Sequence, residues 1–503
     1  MDATVSYTDL ISRVREIARL NSCAGVLGWD ERTHMPHDGS AHRGEQMALL
    51  ARLAHEMMTA PVVGDLLAAV ESSALVKDAD ADAAANVREI RRVHDRAVKV
   101  PRALVEALAR ETTRAQQIWQ DARQKNDFAA FRPALETIVQ LKREESKAVG
   151  YKSVPYDALL DEYEPGATTA EITTIFADLR EELAPLVAAI AASARRPKHD
   201  ILNREYPIDR QAIFGQAAAS AIGFDFAAGR LDVTTHPFCS GIGPGDCRIC
   251  TRYNPRHFNE AFFGILHEAG HGIYEQNLPA EQFGTPVGSC ASLGIHESQS
   301  RLWENQVGRG RAFWEHFFPR ARQVFHSALR DVALDDWVFA INDVRPSFIR
   351  VEADEATYNL HIILRFELEQ ALVSGDLRPA DVPGAWNEKF KKLLGLTPPD
   401  DARGCLQDIH WSFGGLGYFP TYTLGNLYGA QFMEAARRDL GDLDGDFRRG
   451  EFGRLKTWLN EKIHHQGQRY RAGRLCERIT GRPLEHAPLM RYLRGKYGPL
   501  YGI

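Results

Sequence analysis

Apolar side chains recur three and four positions apart through long stretches of this sequence, and a chain patterned that way buries them along helix faces. The spacing runs through Leu10, Val14, Ile17 and Ala18, through Leu104, Leu108 and Ala109, and through Ile172, Ile175, Leu179 and Leu183. It predicts helix after helix from residue 1 to about 228, with the polar stretch KDADADAAANV (77–87) as the start of a helix in preference to a linker. From about 229 to 253 the texture changes. GRLDVTTHPFCSGIGPGDCRICTRY alternates β-branched residues with glycine and proline, which predicts a short hairpin or small sheet. Helical spacing resumes from about 254 to 503, broken by turn clusters at LTPPDDARG (396–404) and GDLDGD (441–446). No repeat of fixed period is visible. The expected architecture is mainly α with one small sheet, built as a single unit over residues 1–503.

Composition narrows the function classes. Apolar residues make up 44% and charged residues 25%, the balance of a globular chain with a real core. Net charge is −6 with both signs interspersed, so the broad cationic field that nucleic acid or an anionic membrane requires is missing. The first twenty residues lack the pattern of a secretory leader, and no stretch stays apolar for a membrane-spanning length, so a cytoplasmic protein is expected. Seven scattered cysteines, an odd number, point to reduced thiols.

The motif that carries chemistry is HEAGH at 267–271, inside FNEAFFGILHEAGHGIYEQ. Phe258, Phe262, Ile265, Leu266, Ala269 and Ile273 follow a helical period, so the segment reads as a buried helix. Residues four apart share a helix face; His267 and His271 can therefore aim both imidazoles at one metal ion, with Glu268 placed to meet a water. Histidines on an apolar helix are often only core residues. A glycine at 270, costing about 1 kcal/mol against alanine in a helix, suggests a demand beyond packing.

Catalytic zinc usually has three protein ligands, and the third is not evident from spacing. The extended histidine pattern fails, because Tyr274 and Asn277 occupy the positions it needs. Glu297, in SLGIHESQSRLWENQ, is a candidate beside Glu275, Glu281 and Glu304. Two other motifs carry less. Cys247 and Cys250 form a C-x-x-C with no second pair, and Asp442, Asp444 and Asp446 resemble a calcium loop in which Phe447 replaces the required glycine and Gly453 the closing glutamate, which leaves a turn.

Beyond HEAGH, the sequence contains HPF (236–238), a D-x-R-x-T element at Asp246 and Arg248 with Thr251 displaced by one, HESQSR (296–301), IRVEAD (349–354) and G-x-x-Q-D-x-H-W (Gly404, Gln407, Asp408, His410, Trp411). With WDERTHMPHDG (29–39) and KTWLNEKIHHQGQRY (456–470), this set resembles peptidase family M32, the thermostable carboxypeptidase Taq-like metallocarboxypeptidases, over essentially the whole chain. The resemblance implies a large helical, saddle-shaped gluzincin-type fold with a deep central groove, and a homodimer. It implies Zn2+ (Co2+ or another divalent ion being possible) held by His267, His271 and Glu297, and peptide substrates with a free C-terminal carboxylate. Glu268 is then the base that activates water. By similarity to helical zinc peptidases, His410 and Tyr422 steady the oxyanion, with Tyr418 as alternate; Arg350 and Arg248 read the terminal carboxylate, and His236 closes the far end of the groove. The rival reading is an oligopeptidase or dipeptidyl-type peptidase built on the same metal site.

Overall fold

The structure is a computed structural model describing residues 2–503. Helices dominate it, as the spacing predicts, and the one sheet falls where the alternation places it. Residues divide into two compact bodies. One comprises the chain through Ala97, Pro197–Ile341 and Phe432–Pro483; the other comprises Val98–Arg196, Asn342–Gln431 and Leu484–Ile503.

In the first body the N-terminal helix Ala3–Thr33 starts where the Asp2 carboxylate accepts from the amides of Thr4 and Val5, satisfying donors that have no partner inside a helix. It buries Leu10 and Val14 in a cluster with Val63, Leu66, Leu67 and Val70 of helix Pro61–Glu71. The sheet has three strands, β1 (Gly229–Val233), β2 (Phe238–Gly243) and β3 (Asp246–Thr251), in the order β1-β3-β2. β3 is central, parallel to β1 and antiparallel to β2.

The HEAGH helix, Phe258–Gln276, packs against this sheet. All six apolar positions expected to face the core are buried. Phe258 and Phe262 reach a cluster of aromatic rings, Phe258 lying 4.9 Å from Trp337 and Phe262 5.3 Å from Phe214 and Trp314. Each such ring contributes roughly 1.5–3 kcal/mol when fully removed from water, so the helix is fixed from behind. Gly270 explains itself at this level. A Cβ there would stand 2.7 Å from the carbonyl oxygen of Gln299 and 2.7 Å from Cα of Ser300, so glycine lets helix Leu293–Arg301 approach backbone to backbone.

The second body is organised around helix Thr357–Ser374, which is buried on nearly every side. Its Glu369 carboxylate accepts from Tyr156 Oη (2.6 Å), Trp411 Nε1 (2.9 Å) and the Gly417 amide (3.0 Å), and thereby anchors the glycine-rich segment from His410 to Tyr422. The acidic run at 442–446 is not a simple turn: Asp442 caps a helix, Leu443–Arg449, by accepting from the Gly445 amide. A short polar side chain that can cap reads as a turn until the residues after it are seen to coil. Among the described residues no single helix is long and apolar enough to cross a membrane.

Candidate metal centre

His267 and His271 project from one face of the HEAGH helix, and Glu297 meets them from Leu293–Arg301, whose Ser292 cap accepts from the Ile295 amide. Glu297 Oε2 lies 3.6 Å from His267 Nε2 and 3.4 Å from His271 Nε2. A tetrahedral ion ~2.1 Å from N and O donors sets those donors ~3.4 Å apart, so the spacing fits one divalent cation. Among the described residues these three form the only group of three or more His, Cys, Asp or Glu side chains able to share an ion.

The partners of each of these side chains fit that use. Glu297 Oε1 accepts from Arg301 Nε at 2.7 Å and Oε2 from Ser300 Oγ at 3.0 Å, which fixes the carboxylate with Oε2 toward the histidines. Burial alone would raise Glu297, but the charges of Arg301 and His267 outweigh it and hold the group well below the usual carboxylate range. Burial and the neighbouring His296 push His271 down to about 3, so its ring is neutral, as a ligand must be. His267 Nδ1 lies 2.9 Å from Glu304 Oε2, a contact in which the nitrogen donates to the carboxylate and the ring is turned with Nε2 toward Glu297. Glu268 is buried, and burial pushes its carboxyl up to about 7.

The acids that competed with Glu297 have other work. Glu275 Oε1 bonds His296 Nε2 at 2.7 Å, and the His296 ring stacks on His271 with centroids 4.4 Å apart. Glu281 is exposed in a short 3₁₀ turn. Glu304 sits on a π-helical segment, Leu302–Gly308, a rare geometry that turns its carboxylate onto His267 while Arg301 (3.4 Å) and Arg309 (3.3 Å) hold it.

Residues 9–497 match the family model described as carboxypeptidase Taq (M32) metallopeptidase. The chain belongs to peptidase family M32. It is 49% identical to thermostable carboxypeptidase 1 of Thermus thermophilus, with both chains covered in full, and 38% identical to carboxypeptidase 1 of Bacillus subtilis over 98% of each. Its structure superposes on the M32 carboxypeptidase of Deinococcus radiodurans R1 with a TM-score of 0.96 at 39% identity, covering 99% of this chain and all of that one. As an M32 metallocarboxypeptidase it acts on peptides and requires a divalent metal.

The remaining M32 motifs fall into two groups. In the first body, His236 is exposed in the bend before β2. Arg248, on β3, grips Asp246 with two bonds of 2.8 Å and lies over the Trp29 ring at 4.3 Å. Cys250 shares the Arg248 face of the strand, because side chains alternate. The one-residue displacement therefore moves Thr251 to the other face, where its hydroxyl is fully buried.

In the second body Arg350 is 5% exposed and joined to Asp408. Its Nε and Nη2 bond Asp408 at 2.9 and 2.8 Å and its Nη1 donates to Tyr358 Oη at 2.7 Å, leaving donors on both terminal nitrogens. Asp408 also accepts from Arg365, and Gln407 Oε1 accepts from the Arg350 amide. The Arg350 guanidinium lies 5.1 Å from the centre of the Tyr422 ring. His410 Nε2 is 3.1 Å from Tyr422 Oη, and burial pushes His410 down to about 3. Tyr418 packs its ring 5.3 Å from His410. Spacing gave no sign of Asp408 as the partner of Arg350, since an ion pair across 58 residues leaves no periodic trace.

Proposed function

We propose that this chain is a zinc metallocarboxypeptidase whose residues 1–503 work as one peptidase unit, releasing single residues from the C-termini of peptides. His267, His271 and Glu297 hold the ion. A divalent ion held there would lower the pKa of a water molecule toward neutrality and polarise the scissile carbonyl. Glu268, adjacent to His267 and three residues before His271 on the same helix, takes that proton and later delivers it to the departing amine. His410, neutral and in contact with Tyr422 Oη, acts with that tyrosine as donor to the oxyanion; Tyr418 is the alternate. Arg350, with donors left after its bonds to Asp408 and Tyr358, reads the terminal carboxylate together with Arg248, and His236 limits how far peptide extends past the cut.

The observation that carries this reading is the convergence of Glu297 Oε2 on the two Nε2 atoms at 3.4 and 3.6 Å. Metal content and product masses on a short peptide panel test it together. One zinc per chain with stepwise loss of single C-terminal residues is the expected result; internal cuts or dipeptide products would make it an oligopeptidase instead. The reading extends to a cytoplasmic homodimer, supported by seven cysteines that form no disulfide and by the family resemblance, and light scattering on the native protein decides the oligomeric state.

A further inference from the structure

Three of the seven cysteines lie on the sheet, and they do not meet as their sequence spacing suggests. Cys247 and Cys250, three apart on β3, point to opposite faces. Cys247 instead meets Cys239 of β2, with the sulfurs 3.6 Å apart. The register sets Cys239 opposite Ile249 and Gly241 opposite Cys247, so all four share one face. That face looks toward the HEAGH helix, since a Cβ on Gly241 would stand 2.3 Å from the Glu275 carboxylate. β2 is an edge strand, Cys239 is half-buried, and it directly follows the His236–Phe238 segment.

We propose that Cys239 and Cys247 form a peroxide-responsive dithiol that closes into a disulfide and shifts the edge strand beside the metal centre. Cys239, the less buried residue of the two, attacks the peroxide as thiolate; an S–O bond forms, the O–O bond breaks, and the hydroxide released takes up a proton to become water. The Cys247 sulfur then attacks the Cys239 sulfenic acid, the S–O bond breaks, and hydroxide leaves with the Cys247 proton as a second water. Two thiols are oxidised by two electrons and one peroxide is reduced to two waters. At rest, contact with Cys247 and burial hold the Cys239 thiol well above its ordinary value, so the thiolate is the minor form and the pair reacts slowly with peroxide. A disulfide is ~2.05 Å long, so closure draws the sulfurs together by about 1.5 Å and moves β2 with the HPF segment that precedes it.

The test uses the metal-loaded full chain exposed to hydrogen peroxide, alkylated, digested without reduction and weighed. The expected result is a Cys239–Cys247 linked peptide pair, two hydrogens lighter than the separate peptides, with a rise in KM for a peptide substrate that dithiothreitol reverses. Cys239→Ser keeps basal activity and loses the response; Cys247→Ser, lacking the resolving sulfur, leaves a sulfenic acid at Cys239 that dimedone traps. Alkylation of both cysteines after peroxide, or a reversible response that persists in Cys239→Ser, would overturn the proposal. A linked pair with unchanged KM and kcat would overturn its regulatory half. The KM readout rests on the carboxypeptidase reading while the mass readout does not, so a failure of one is distinguishable from a failure of the other.

Discussion

Glu304 Oε2 lies 2.9 Å from Nδ1 of His267, on the nitrogen opposite the one that faces Glu297. A histidine ligand whose second nitrogen is held by a carboxylate has its tautomer and ring orientation set before any ion arrives, and it is more basic toward that ion. Glu304→Gln keeps the size and removes the charge. It is expected to lower metal affinity about 10- to 100-fold, read by chelator competition, with an unchanged circular dichroism spectrum. Equal affinity would mean that Glu304 only packs.

Gly270 makes a second, independent prediction about the same centre. Gly270→Ala puts a methyl group 2.7 Å from the backbone of Gln299 and Ser300, so helix Leu293–Arg301 must move outward and take Glu297 with it. The variant should lose about 1–3 kcal/mol of stability to overpacking and also bind metal more weakly. A loss of stability with metal affinity unchanged would show that Glu297 has slack to follow.

Glu268→Gln should separate binding from chemistry. The side chain keeps its shape but no longer accepts a proton, so the protein should retain its metal and lose activity by about 10²–10⁴-fold. An active Gln variant with metal bound would remove Glu268 from the mechanism.

Arg350→Ala tests recognition of the terminal carboxylate. Asp408 keeps Arg365 as partner, so the buried acid is not left uncompensated. KM for peptides with a free C-terminus should rise on the order of 10- to 100-fold, the worth of a charge-assisted hydrogen bond of about 1.5–3 kcal/mol, and hardly change for C-terminally amidated ones. Equal effects on both would assign Arg350 to structure alone.

The second body carries a pH signature. Burial pushes Glu369 up to about 7, against the hydrogen bonds from Tyr156, Gly417 and Trp411, which lower it. The folded state therefore binds this proton more tightly than the unfolded chain, where a glutamate titrates near ~4.3. Its contribution to stability is complete below that value and is lost as pH rises through about 7. Glu369→Gln does not titrate, so its Tm should fall less than that of the unaltered protein between pH 5 and pH 8. Parallel Tm curves would contradict the shift.

How much of this was readable beforehand depends on the range of the interaction. Helical spacing placed Phe258, Phe262 and Ile273 in the core and His267 beside His271, because period 3.6 is local and each of these residues votes for the same face. The sheet was legible from alternation and glycine punctuation for the same reason. Glu297 was not legible from spacing: it competed with Glu304 on one helical stretch, and what separates their positions is a π-helical segment with no sequence signature. The Asp408 partner of Arg350 and the contact between Cys239 and Cys247 depend on tertiary pairing and strand register, which a C-x-x-C spacing misdescribes once the two cysteines lie on a strand.

The most direct test of the account is anomalous diffraction at the zinc absorption edge from crystals of the native protein. One peak ~2.0–2.2 Å from His267 Nε2, His271 Nε2 and Glu297 Oε2 is predicted. A peak ligated by other residues, or Glu297 turned away from an occupied histidine pair, would contradict it.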